Sequence, residues 1–248
     1  WGLFRNLTLT QIYTDNYAFA LLHQGLTQMW SLAVEVAFYV ALPVLAWLLM
    51  VLLCRRRWRP VLLLAGLGGL ALLSLGWIVL VHTTDFLPDG AKLWLPGYLI
   101  WFLGGMMLTV LSAMGVRVYG FLAVPLAAIC YLIACTPIAG EPQTSPTGMA
   151  QALVKMAFYA VIATLVVAPL ALGDSGWYAS LLASRPMVWL GEISYEIFLV
   201  HLVLMEVAMT NVLHWRVYTG SMPGLFFVTM VLTIPVAWVL HRFTRVRS

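Results

Sequence analysis

The chain has 248 residues, of which 63% are hydrophobic and 9% charged, and its mean hydropathy is +0.97. A soluble domain carries roughly 25% charged residues, so this chain lacks the polar groups to cover a water-facing surface, and a soluble globular fold is excluded. The formal net charge of +4 comes from short basic clusters between apolar runs, which membrane topology by itself requires, so it is no nucleic-acid signature.

Residues 2–28 are mixed, with Asn6, Thr8, Thr10, Gln11, Asp15, Asn16, His23 and Gln24 interrupting the apolar positions. They read as a polar re-entrant or surface segment. The first run long enough to cross a ~30 Å hydrocarbon core covers 29–53 and ends at Cys54, Arg55, Arg56, Arg57 and Arg59. A second covers 61–81. The loop after it holds His82, Asp85, Asp89 and Lys92, with Pro88 and Gly90 as turn formers. The third run, 93–114, stops at Arg117, and the fourth, 118–138, leads into a loop rich in Pro, Thr and Ser. The fifth is 149–172. A less apolar connector, 173–186, precedes the sixth, 188–213, and the seventh, 224–241. The expectation is an all-α fold, a polytopic transmembrane helical bundle with about seven spans.

Lys and Arg gather in alternate loops. With Arg55–Arg59 inside, Arg117, Arg185, Arg242, Arg245 and Arg247 are inside too, and Asp15, Asp85, Asp89 and Glu141 are outside. Arg5, Lys92, Lys155 and Arg216 fall on or near the outer side. This orientation makes the C-terminus cytoplasmic. Cys54, Cys130 and Cys135 have no disulfide or metal-ligand spacing, so no metal is expected. Cys54 beside three arginines is a weak lipidation pattern.

An ionisable group inside a span is costly unless it faces a cavity or a partner. Glu35 lies in the first span, and Ser31, Glu35 and Tyr39 recur at i+4 on one helical face. The plainer reading of Glu35 is a hydrogen-bonded packing residue, although Asn or Ser would serve at lower desolvation cost. The sixth span is denser, with Glu192, Ser194, Tyr195, Glu196, His201 and Glu206. His201 falls near mid-membrane on one stripe with Ser194, and it also reads as a satisfied core histidine. Glu192 and Glu196 lie toward the cytoplasmic end, where solvation or a helix start suits them. His241 beside Arg242 reads as an interfacial helix end, and His82 and His214 as loop ends. From the residues alone, the chain is a membrane protein with a polar intramembrane site.

The segment Trp30-Ser31-Leu32-Ala33-Val34-Glu35-Val36-Ala37-Phe38-Tyr39 resembles a hallmark of the acyltransferase-3 family of membrane acyltransferases, Trp-Ser-Leu-x-x-Glu-x-x-Phe-Tyr. Leu190-Gly191-Glu192-Ile193-Ser194-Tyr195 through His201 resembles the second hallmark, Leu-Gly-x-Ile-Ser-Tyr-x-x-Tyr-Leu-x-His, with Arg185-Pro186 upstream. Phe102-Leu103-Gly104-Gly105 is similar to a weaker family feature. Members have about ten spans, and the seven expected here resemble the last seven. Residues 1–248 are therefore expected to form a single transmembrane domain of this family that lacks its first helices, with a proposed catalytic His and an Arg-x-x-Arg upstream. Arg245-Val246-Arg247 stands where members commonly carry Glu-(Arg/Lys)-Pro.

The resemblance implies transfer of a short acyl group, acetyl or succinyl for example, from cytoplasmic acyl-CoA to a hydroxyl of an extracytoplasmic envelope glycan or glycolipid. Its setting would be the bacterial inner membrane, with partner proteins of an envelope-assembly complex in prospect. Glu35 becomes the catalytic carboxylate that orients a His base. Trp30, Ser31 and Tyr39 bind substrate at the outer mouth, and Ser194, Tyr195 and His201 line the acyl path. Arg185 and the Arg55–Arg59 cluster are the candidate contacts for CoA phosphates. Positive-inside topology also explains each of these arginines. Two other classes stay open: a transporter or flippase relaying protons through Glu35 and His201, and a non-catalytic subunit that retains the fold. The even spacing shows no pair of interrupted half-helices, which counts against a transporter.

Overall fold

Apolar runs fold as helices because a bilayer offers no competing partners for backbone N–H and C=O groups. The computed structural model describes residues 2–13, 27–84, 86–137, 148–215 and 220–244. Asp15, Asn16, His23, Gln24, Asp85, Glu141, Arg216, Arg245 and Arg247 lie outside the described residues. Within them the regular structure is helical: α1 (Gly2–Leu7), α2 (Met29–Trp47), α3 (Pro60–Thr83), α4 (Leu95–Ala113), α5 (Gly120–Ala134), α6 (Met149–Ala171), α7 (Trp177–Leu182), α8 (Arg185–Glu192), α9 (Ser194–Val207) and α10 (Met222–Thr244). A π-helical segment, Leu48–Leu53, extends α2, and another, Ala208–Val212, extends α9. A 3₁₀ segment, Asp89–Leu93, precedes α4.

Among the described residues, six stretches are long and apolar enough to cross a membrane: Met29–Leu53, Pro60–Thr83, Asp89–Ala113, Met149–Ala171, Ser194–Val212 and Met222–Thr244. The run expected at 118–138 forms the 15-residue helix α5. At ~1.5 Å per residue it reaches about 22 Å, short of the ~30 Å core. Tyr119 is extended before it. Pro137 closes the far end, because the residue preceding a proline is driven out of the α region. The run expected at 188–213 is also divided. Ile193 leaves helical geometry (φ −99°, ψ 6°) and separates α8 from α9, so Glu192 ends a short amphipathic helix and does not sit inside the span.

The chain divides into two units, one of residues 1–11, 17–33 and 183–248, the other of 12–16 and 34–182. In the second, α3 packs on α4, α4 on α6, and α5 on α6. Leu49, Cys54, Leu63, Leu67 and Leu103 form its main buried cluster. Cys54 is fully buried, which removes its thiol from any modifying group. Gly104 of α4 faces Thr164 of α6 so closely that a Cβ would strike the threonine hydroxyl. Small residues permit such close helix approach in membranes. Buried Ser74 of α3 donates to Pro96 O at 2.7 Å and accepts from Ile100 N at 3.2 Å, tying α3 to the start of α4. Trp94 donates through Nε1 to Ile12 O at 3.1 Å and stacks near Trp77, placing a polar-tipped aromatic cluster beside the 3₁₀ segment. In the first unit, α9 packs along α10.

Candidate functional site

In the unit of residues 12–16 and 34–182, Glu35 and Tyr39 share one face of α2 as their spacing requires. Tyr39 Oη donates to Glu35 Oε1 at 2.9 Å. Glu35 is half-buried, whereas Tyr39 is exposed. Next to them on α2, Phe38 is buried, and its ring stacks on Phe102 at 4.1 Å. One turn of α2 thus presents a carboxylate and a phenol while an aromatic anchor fixes its rotation. The Phe102-Leu103-Gly104-Gly105 segment has packing roles here: Phe102 holds α2, Leu103 is fully buried, and Gly104 admits α6.

The other unit joins the start of α2 to the second motif. Gln28 is buried, and its Nε2 donates to Leu199 O at 2.9 Å and Phe198 O at 3.3 Å. Its backbone carbonyl accepts from Ser31 Oγ at 2.9 Å. His201 Nδ1 lies 2.7 Å from Phe198 O. A carbonyl cannot donate, so Nδ1 is the donor in this bond, and in the tautomer that this selects Nε2 carries the lone pair. Gln28 Oε1 is buried with no partner among the described residues. Gln11, also buried, donates to Met29 O at 3.1 Å and braces the first turn of α2. Trp30 lies half-buried on that turn.

The remaining expected site residues are more open. Ser194 is exposed, and its hydroxyl donates locally to Gly191 O at 2.8 Å. Tyr195 is exposed, and exposed Arg185 opens α8. Ser31, Gln28 and His201 form one linked network. Ser194 and Tyr195 have no hydrogen bond into it among the described residues.

Sequence reasoning missed the roles of three residues. Gln28 belongs to no ionisable pattern and became visible only through its bonds across about 170 positions of chain. Glu196 and His241 had been assigned to solvated or interfacial ends. The structure pairs them: Glu196 is only 6% exposed, and its Oε1 accepts from His241 Nδ1 and from Thr244 Oγ1, each at 3.0 Å. The available signal was topological. Consecutive spans joined by a short loop run antiparallel, so the start of the sixth lies beside the end of the seventh.

With both hallmark segments placed in folded helices, the comparison that decides the family is a match to the acyltransferase-domain family model over residues 1–242. The chain belongs to the acyltransferase-3 family. The match takes in Trp30–Tyr39, Leu190–His201, and Arg242 at the end of α10. No curated protein and no solved structure matches the chain. This acyltransferase-3 chain is an integral membrane protein, as its apolar helices and its family both indicate.

Proposed function

We propose that this chain transfers a short acyl group from acyl-CoA on the cytoplasmic side to a hydroxyl of an extracytoplasmic envelope glycan or glycolipid. The supporting observation is the bonded Glu35–Tyr39 pair within a span, in the motif that marks the acyltransferase-3 family. In this reaction the acceptor hydroxyl oxygen attacks the thioester carbonyl and forms the ester C–O bond. The hydroxyl proton passes to a base, the C–S bond breaks, and CoA leaves as a thiolate that takes that proton from the base to become the thiol. A histidine base performs this best when a carboxylate orients it and stabilises its charged form. Glu35 supplies that carboxylate, and Tyr39 fixes its rotamer.

His201 presents Nε2 as an acceptor toward donor groups of the bound substrate, because its Nδ1 is committed to Phe198 O. Trp30 and Ser31 shape the outer mouth, and Ser194 and Tyr195 line the acyl path. Arg185 meets the CoA phosphates, since a guanidinium gives them charge-assisted hydrogen bonds. The membrane is a bacterial inner membrane, with the C-terminus in the cytoplasm alongside Arg55–Arg59, Arg117, Arg185 and Arg242.

The test is Glu35→Gln in the full-length protein, with acylated glycan measured by mass spectrometry. Acylation should disappear while expression is preserved. Full acylation by this variant would remove Glu35 from the reaction.

A further inference from the structure

Arg55, Arg56, Arg57 and Arg59 are all exposed. The ion pairs among the described residues are Lys92–Asp89 and His241–Glu196, so these four cations have no carboxylate partner there. Positive-inside topology explains four basic residues in a loop, but it is indifferent to the shape of the loop. The shape here is specific. Arg55 (φ 52°) and Arg56 (φ 59°) are consecutive left-handed residues, a conformation that side-chain-bearing residues rarely adopt. Cys54 N donates to Leu49 O at 3.0 Å and Arg56 N to Met50 O at 2.8 Å, so the turn is tied to the π-helical end of α2. π-helical segments of this kind frequently accompany functional sites.

Two apolar grooves adjoin this turn. One, about 410 Å³, is lined by Arg59, Val61, Leu62 and Ala65. The other, about 270 Å³, is lined by Trp58, Leu63, Met106 and Val110, among others. Helical spacing puts Val61, Leu62 and Ala65 on one side of α3 and Leu63 on the opposite side. Arg59 therefore lines the edge of one apolar groove and its neighbour Trp58 lines the other, with Arg55–Arg57 just before them in the same turn, all within the unit of residues 12–16 and 34–182.

We propose that the Arg55–Arg59 turn and its flanking grooves form a binding site for an anionic diacyl phospholipid. The phosphate meets Arg59 and the Arg55–Arg57 turn, and the acyl chains enter the grooves beside α3. Charge complementarity selects the headgroup, since basic pockets between membrane helices favour anionic lipids. The apolar walls distinguish the site from a surface attraction that any arginine would exert. The inference stands apart from the proposed acyl transfer and does not require it.

The test is native mass spectrometry of the full chain released from nanodiscs containing equal amounts of phosphatidylglycerol and phosphatidylcholine. Wild type should retain phosphatidylglycerol preferentially. The Arg56→Gln/Arg59→Gln variant should lose more than about tenfold of that preference, since each basic residue contributes about five-fold. Ala65→Trp keeps all four arginines but closes a groove, and it should lose the preference too; the more exposed Val61→Trp substitutes if Ala65→Trp does not fold. Arg117→Gln should retain it. Equal retention of both lipids by wild type overturns the proposal. So does an undiminished preference in the groove-closing variant, or displacement of the lipid by equimolar acyl-CoA, which would assign the grooves to the donor substrate.

Discussion

Glu196 Oε1 accepts a hydrogen bond from His241 Nδ1 at 3.0 Å, joining the start of α9 to the end of α10. Glu196 is nearly enclosed, whereas the His241 side chain keeps 24% of its surface. The two partners are therefore unequal. Removing His241 leaves the buried carboxylate with only the Thr244 hydroxyl bonded to its Oε1, which costs up to about 3–5 kcal/mol, whereas removing Glu196 leaves an imidazole that is still partly exposed, at about 1 kcal/mol. His241→Ala should thus destabilise the protein more than Glu196→Ala. The double variant should be more stable than His241→Ala alone. Denaturant titration in detergent micelles checks this ordering, and a double variant worse than either single one would refute it.

Gln28 brings the start of α2 to the second motif through Phe198 O and Leu199 O. Gln28→Ala should cost about 1–2 kcal/mol, the range for losing a buried hydrogen-bonding group. Gln28→Glu should cost more, because a carboxylate oxygen would replace the Nε2 donor opposite the two carbonyls. Thermal unfolding of the two variants gives the comparison. Equal melting temperatures would contradict the donor role of Nε2.

Gly104 and Thr164 make α4 and α6 approach closely. Gly104→Ala should destabilise by about 1–3 kcal/mol through overpacking. Thr164→Ala removes the hydroxyl that the new methyl would strike. The Gly104→Ala/Thr164→Ala pair should then recover most of the loss, a coupling that a double-mutant cycle measures directly.

Tyr39→Phe tests how much the phenol contributes to Glu35. The Glu35 rotamer loses its hydrogen bond from Tyr39 Oη, so acylation should fall measurably without loss of expression. Glu35→Gln should be the more severe of the two. Steady-state acylation rates of the two variants in matched membranes provide the check.

The spans were legible because hydropathy and length are properties of local sequence, and five of the expected runs appear as spans with shifts of a few residues at their ends. The Glu35–Tyr39 face was legible for the same reason, since i and i+4 lie on one helical face. Hydropathy failed where backbone geometry took over. Pro137 cut short the fourth run, and Ile193 broke the sixth, although both stretches remain apolar. The π-helical end of α2 and the left-handed pair Arg55–Arg56 leave no periodic trace in composition. Contacts across long chain separations were also invisible: Gln28 with Phe198, and Glu196 with His241, depend on which helices become neighbours. His241 therefore looked like an ordinary interfacial residue.

The most direct measurement of the proposed chemistry uses sealed membrane vesicles containing the full-length protein and its glycan acceptor. Acyl-CoA labelled in the acyl group is supplied only on the face that carries Arg55–Arg59. Label should appear in ester linkage on acceptor exposed at the opposite face, with one free CoA thiol released per ester formed, and Glu35→Gln should form neither. Equal label transfer by wild type and Glu35→Gln, or acceptor that stays unlabelled with the wild-type protein, would contradict acyl transfer through Glu35.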